Sequence, residues 1–124
     1  MTGSGADPDA WVGSCHCGEV RITLPRAPDQ VTHCNCSMCT KSGFRGIYFS
    51  GEEVRVEGGE LAGYVRADID EPFLTLWHCA RCGTTTHWTP LTAPPHERIG
   101  VNGRLFDADR IAAFPVREVD GASW

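Results

Sequence analysis

No stretch of this 124-residue sequence approaches the apolar length of a membrane-spanning helix, and neither end carries a lipidation signal. The N-terminus shows no basic stretch followed by an apolar run, so secretion has no support. No membrane partner is expected, and a soluble, cytoplasmic protein is. Lysine and arginine form no cluster, and the formal charge is −5. Nucleic acid is therefore not expected as a partner, because phosphates must be met by basic patches. Long helices are also scarce, since fourteen Gly and eight Pro favour turns.

What the sequence does have is cysteine. Seven cysteines lie in three tight clusters, Cys15-His16-Cys17, Cys34-Asn35-Cys36-Ser37-Met38-Cys39 and Cys79-Ala80-Arg81-Cys82. An odd number cannot all pair, and disulfides need an oxidising compartment that nothing here supports. No βαβ pattern surrounds Cys79 and Cys82 to suggest a thioredoxin-like dithiol. Residues two or three apart at a turn aim their sulfurs at one point, which is what metal ligation requires. Soft thiolates suit zinc with its tetrahedral preference, whereas iron–sulfur clusters usually take other spacings.

Structural zinc sites are closed by four protein ligands, and catalytic ones hold three and leave a position open. Seven divides as four plus three. The most economical division joins Cys15 and Cys17 to Cys79 and Cys82 and leaves Cys34, Cys36 and Cys39 together. A competing division pairs Cys36 and Cys39 with Cys79 and Cys82, but it splits one compact cluster and strands Cys15, Cys17 and Cys34. A third possibility is that His33 or His78 completes a second tetrahedron; both sites are then closed and no chemistry is implied.

Residues 1–10 are small, polar and Gly/Asp/Pro-rich, and are read as a flexible tail, with one domain over residues 11–124. Val20, Ile22 and Leu24 alternate with Arg21 and Thr23, the period of a half-buried strand that Pro25 ends. Val31 to His33 reads as a short strand, Thr40 to Ser42 as a helical turn, and Phe44 to Ser50 as extended. The second cluster then sits on a connecting loop. Val54 and Val56 alternate with charged residues, and Gly58-Gly59 predicts a hairpin into Leu61 to Arg66. Leu74 to His78 and Thr84 to Trp88 flank the third cluster as strands, which makes it a knuckle. Ile99 to Asn102 and Val116 to Val119 complete a mainly β chain, with one short helix over Ala108 to Ala113.

The order Gly13-Ser14-Cys15-His16-Cys17-Gly18-Glu19-Val20, His33-Cys34-Asn35-Cys36-Ser37-Met38-Cys39 and Cys79-Ala80-Arg81-Cys82-Gly83 resembles the glutathione-dependent formaldehyde-activating enzyme family, also called the centromere protein V-like family. Arg98-Ile99-Gly100-Val101-Asn102, Leu105-Phe106-Asp107 and the closing Asp120-Gly121-Ala122-Ser123-Trp124 are similar to later family segments. The resemblance implies a β-tent (Mss4-like) fold with two zinc ions. It implies that Cys15, Cys17, Cys79 and Cys82 hold a structural zinc, and that Cys34, Cys36 and Cys39 hold a catalytic one. Asn35 stands where many relatives have His, and Thr40-Lys41 replaces a more common basic or Gln-containing pair.

The expected activity is that of a zinc-dependent carbon–sulfur lyase acting on a thiol–aldehyde adduct such as S-hydroxymethylglutathione. Its partner is then a small-molecule thiol or thiol–aldehyde adduct. The alternatives are a non-catalytic zinc-binding protein-interaction module and, less strongly, a thiol redox sensor. Three thiolates already outweigh the charge of one zinc ion, so a bound substrate thiolate calls for a nearby cation. Lys41 and Arg45 are candidates by position. His33 and His78 are candidates for hydrogen-bond partners around the metal or for a proton shuttle.

Overall fold

The computed structural model describes residues 11–91 and 98–123. Residues 1–10, read above as a tail, lie outside the described residues, as does Trp124. In chain order the elements are β1 (Trp11–Ser14), β2 (Arg21–Leu24), β3 (Val31–Cys34), α1 (Ser37–Ser42), β4 (Gly46–Phe49), β5 (Arg55–Glu57) and β6 (Leu61–Val65). They continue with β7 (Leu74–Cys79), β8 (Thr85–Pro90), β9 (Ile99–Asn102), α2 (Ala108–Ala112) and β10 (Val116–Val119), with 3₁₀ turns at Gly103–Leu105 and Gly121–Ser123. The architecture is mainly β, as the resemblance implies.

Among the described residues the strands form two sheets. One is β1-β2-β5; the other runs β10-β3-β4-β9-β8-β7-β6. The pairings are antiparallel except that between β10 and β3, which is parallel. Alternation explains β2, whose Ile22 and Leu24 are buried while Arg21 faces solvent. The interior strand β9 is buried at every position, so its sequence has no alternation to show.

The main core gathers Trp11, Ile22, Leu24, Ile47, Phe49 and Val101 with their neighbours, and no cysteine belongs to it. Each large apolar side chain buried there contributes roughly 2 kcal/mol. A second cluster, Phe44, Leu74, Leu76 and Trp88, packs with Met38 and Cys39 of α1 and with Tyr48. A third is built on Cys15, Val20 and Cys79. The main core therefore holds the sheets without the cysteines, and the third cluster ties the β1–β2 turn to the β7–β8 turn.

Two expectations are corrected. Gly58 and Gly59 do turn the chain, at φ 75° and 62°, but β5 and β6 do not pair. Instead β5 pairs with β2 and β6 with β7. The turn is pressed against Glu19 and Val20, where side chains on either glycine would collide, so it carries the chain from one sheet to the other. The helical turn is also longer than expected, because α1 begins at Ser37 with Cys36 as its N-cap. The second cluster thus spans a strand end and a helix start and is no simple loop.

Candidate metal centre

The β1–β2 turn and the β7–β8 turn bring four sulfurs together. Cys15 and Cys17 come from the first, and Cys79 and Cys82 from the second. Their Sγ atoms all lie within 4.8 Å of one another, with Cys15–Cys17 at 3.6 Å and Cys17–Cys79 at 3.7 Å. Four thiolates at about 2.3 Å from a tetrahedral zinc stand roughly 3.8 Å apart, so the spacing fits that ion. The backbone of each turn supports the sulfurs. Val20 N–H donates to Cys15 Sγ at 3.3 Å, and Gly83 N–H closes the second turn onto Cys79 O at 2.9 Å. Burial raises the Cys15 thiol, but the Val20 N–H and the Cys17 and Cys79 thiols outweigh it and the net shift is downward. The Thr84 hydroxyl, 3.2 Å from Cys82 Sγ, is the main cause of that thiol's drop to about 5.

The second group is Cys34, Cys36 and Cys39, again with all sulfurs within 4.8 Å. Cys34 ends β3, Cys36 caps α1 and Cys39 lies in the helix. Cys36 Sγ accepts the Cys39 N–H at 3.4 Å, the bond that starts the helix. Burial raises Cys36, yet the Cys39 N–H, the Cys39 and Cys34 thiols and the Arg66 charge together lower it. Cys39 goes the other way, pushed up by burial and then by Cys36. Three thiols this close cannot all ionise without a cation between them, so the donor set fits a metal ion here too.

Asn35 secures this group from behind. Its Nδ2 donates to Asp120 Oδ1 at 2.9 Å, and its Oδ1 accepts the Ala122 N–H at 2.9 Å. That clip lays the Gly121–Ser123 turn against the cysteines. Gly121 is buried, and a Cβ there would collide with Cys34 Sγ and stand 3.3 Å from Cys36 Cβ.

The cysteines divide as the economical reading expected, and the competing pairing of Cys36 and Cys39 with Cys79 and Cys82 is not formed. Neither His33 nor His78 belongs to either group. His33 Nδ1 instead pairs with Glu118 at 2.9 Å. The cation whose charge is felt at Cys36 is Arg66, which the sequence reading passed over in favour of Lys41 and Arg45. Asp68 grips Arg66 with two bonds, Nε to Oδ1 at 2.9 Å and Nη2 to Oδ2 at 2.6 Å. Arg66 in turn draws Asp68 down to about 2. Tyr48 was also passed over. Burial above all, and then the Cys39 charge, raises its phenol, so it stays a neutral O–H donor beside the group.

The fold and its cysteines define a small, mainly β domain with two cysteine groups that could each bind a metal ion. The chain belongs to the glutathione-dependent formaldehyde-activating enzyme family, whose sequence model matches residues 10–119. A crystal structure of a Rhodobacter sphaeroides protein from a structural genomics programme is similar, with a TM-score of 0.66 and 26% identity. The similarity covers 86% of this chain and 99% of that one. A comparison with curated proteins gives no match. Membership makes enzymatic activity on glutathione adducts the family context, and no described helix is long and apolar enough to cross a membrane.

Proposed function

We propose that the protein is a zinc-dependent carbon–sulfur lyase acting on a thiol–aldehyde adduct such as S-hydroxymethylglutathione, with two zinc ions per chain. Cys15, Cys17, Cys79 and Cys82 would hold the structural ion, and Cys34, Cys36 and Cys39 the catalytic one. The observation that carries this is the contrast between the groups, four sulfurs in one and three in the other, with no histidine joining the three.

Zinc bound by three thiolates supplies a position at which a substrate sulfur is stabilised in its deprotonated form. Everything else falls to the chain's own residues. The Cys36 cap and the Asn35 clip hold the three sulfurs in place before substrate arrives. Gly121 covers one flank of Cys34, so the substrate approaches from elsewhere. Arg66, fixed by Asp68, offsets part of the surplus negative charge around Cys36. Tyr48 offers its phenolic proton as a hydrogen bond to the adduct's oxygen. In the cleavage direction the C–S bond breaks with its electron pair on sulfur, the carbonyl forms, and the hydroxyl proton leaves to solvent. The reverse adds the thiolate to formaldehyde.

All seven cysteines are free, and a reducing cytoplasm suits both them and a thiol substrate. The test is release of formaldehyde and glutathione from S-hydroxymethylglutathione by zinc-loaded protein, with Cys36→Ser as control. Turnover lost in the variant is the expected result. If a panel of thiol adducts shows no turnover, and thiols leave the visible spectrum of the cobalt-substituted protein unchanged, the protein is a non-catalytic zinc-binding interaction module.

A further inference from the structure

Two arginines distant in sequence are brought to one place by a single buried side chain. Asn102 is 3% exposed, and its Oδ1 accepts the Arg45 N–H at 3.2 Å and the Arg104 N–H at 3.1 Å, while its Nδ2 donates to Thr85 O at 2.8 Å. Both ends of that amide are engaged, so the two backbones are held together. Beside them is a pocket of about 300 Å³, at the small end of the range for ligand sites. It is bordered by α2, the Gly103–Leu105 turn and the starts of β3 and β10, and Val31, Phe106 and Ile111 give it an apolar lining. Val116 pairs with Val31 and Val119 with Cys34, so the pocket's end of β3 lies about 10 Å from the metal centre's end.

The charges select the ligand. Arg45 and Arg104 both line the pocket, and none of its lining residues is acidic, in a chain whose formal charge is −5. Arg45 is half-buried, and its guanidinium makes no ion pair or hydrogen bond among the described residues. Arg104 donates its Nε to Gly43 O at 2.7 Å, which anchors it at the end of α1, and its Nη groups have no partner among the described residues. Guanidinium forks bind the oxygens of carboxylates and phosphates in the same bidentate manner. We propose that this pocket is a second ligand site, for a small amphipathic oxyanion. Its carboxylate or phosphate head lies on Arg45 and Arg104, and its apolar body lies against Val31, Phe106 and Ile111. Neither a metal nor a thiol takes part, so the site stands or falls independently of the lyase reading.

Octanoate and octyl phosphate are the probes, titrated calorimetrically into the zinc-loaded full chain. At least one should bind, and the tighter of the two identifies the head. Octanol and inorganic phosphate each keep only half of the ligand and should bind about tenfold more weakly or not at all. Arg45→Gln should weaken binding about tenfold. Ala112→Trp, at an exposed position of the pocket wall, fills the space and changes neither arginine, so it should abolish binding; circular dichroism checks that both variants keep the fold. Amide NMR shifts should fall on residues 103–112 and on Val31 and Val116. Glutathione, which is polar along its length, should not displace the probe. Failure of both probes to bind, equal binding of octanol, binding indifferent to both substitutions, or displacement by glutathione overturns the proposal, whatever the turnover assay shows.

Discussion

Removing Cys79 and Cys82 should destabilise the protein far more than removing Cys36 and Cys39. The four-sulfur group ties the β1–β2 turn to the β7–β8 turn, and Cys17 and Cys79 are 62 residues apart. A tie across a loop of that length removes about 4 kcal/mol of unfolded-chain entropy, and one across the short span from Cys34 to Cys39 removes only about 2 kcal/mol. The serines enter comparable surroundings in both variants: Cys79 and Cys36 are buried, and Cys82 and Cys39 are partly so. Desolvation therefore largely cancels, and the remaining difference of about 2 kcal/mol corresponds to roughly 10 °C in Tm for a domain of this size. The assay is thermal unfolding followed by circular dichroism at one fixed zinc concentration, with zinc content measured in parallel. The Cys79→Ser, Cys82→Ser variant should melt much earlier or be unfolded. The Cys36→Ser, Cys39→Ser variant should keep its fold and one zinc. Equal losses of Tm would refute both the four-plus-three division and the structural role given to the larger group.

A mild chelator should remove one zinc equivalent before the other, because three protein ligands hold an ion less firmly than four; simultaneous release of both would contradict this. Gly121→Ala puts a methyl group against Cys34 Sγ, so it should reduce zinc content by up to one equivalent with little change in circular dichroism, and unchanged zinc content would show that the turn yields freely. Burial lowers His87 from 6.5 to about 4, so the folded state prefers the neutral ring. That preference is fully present above pH 6.5 and is lost as pH falls toward 4, costing up to about 3 kcal/mol. The stability difference between wild type and His87→Gln, measured by urea denaturation, should shrink over that window, and a constant difference would refute it. Ser42 Oγ is shut away from solvent without a hydrogen-bond partner among the described residues, so Ser42→Ala should leave stability unchanged or raise it by up to about 1 kcal/mol; a clear loss in the same assay would refute this.

The strands that alternate, such as Arg21–Leu24, and those flanking the third cluster were legible because a half-buried strand writes its own period into the sequence. The hairpin after Gly58-Gly59 was misread for a reason of the same kind. Two glycines specify that the chain turns, but not what it meets afterwards. Val56 packs against the Cys15, Val20 and Cys79 cluster, and β6 finds its partner in β7. Both choices depend on contacts distant in sequence. The start of α1 was hidden differently. Helix N-caps are recognised by Ser, Thr, Asp or Asn, and here a cysteine sulfur accepts the capping N–H, so the residue read as a metal ligand also begins the helix.

The same distinction separates the metal from its surroundings. Ligand sets announce themselves in sequence because each pair of cysteines is delivered by one tight turn, so spacing alone nearly determines the grouping. The residues that would govern a substrate carry no such local mark. Arg66 acts on Cys36 from just beyond the end of β6, and Asn35 reaches Asp120 across 85 residues. Asn35 carries no local mark of a structural role, and its side chain proves to hold the Gly121–Ser123 turn against Cys34. A change at this position thus alters how the site is enclosed while leaving its ligands intact. Metal ligation and the enclosure of the site are thus specified by different parts of the chain, the first by local spacing and the second by contacts distant in sequence.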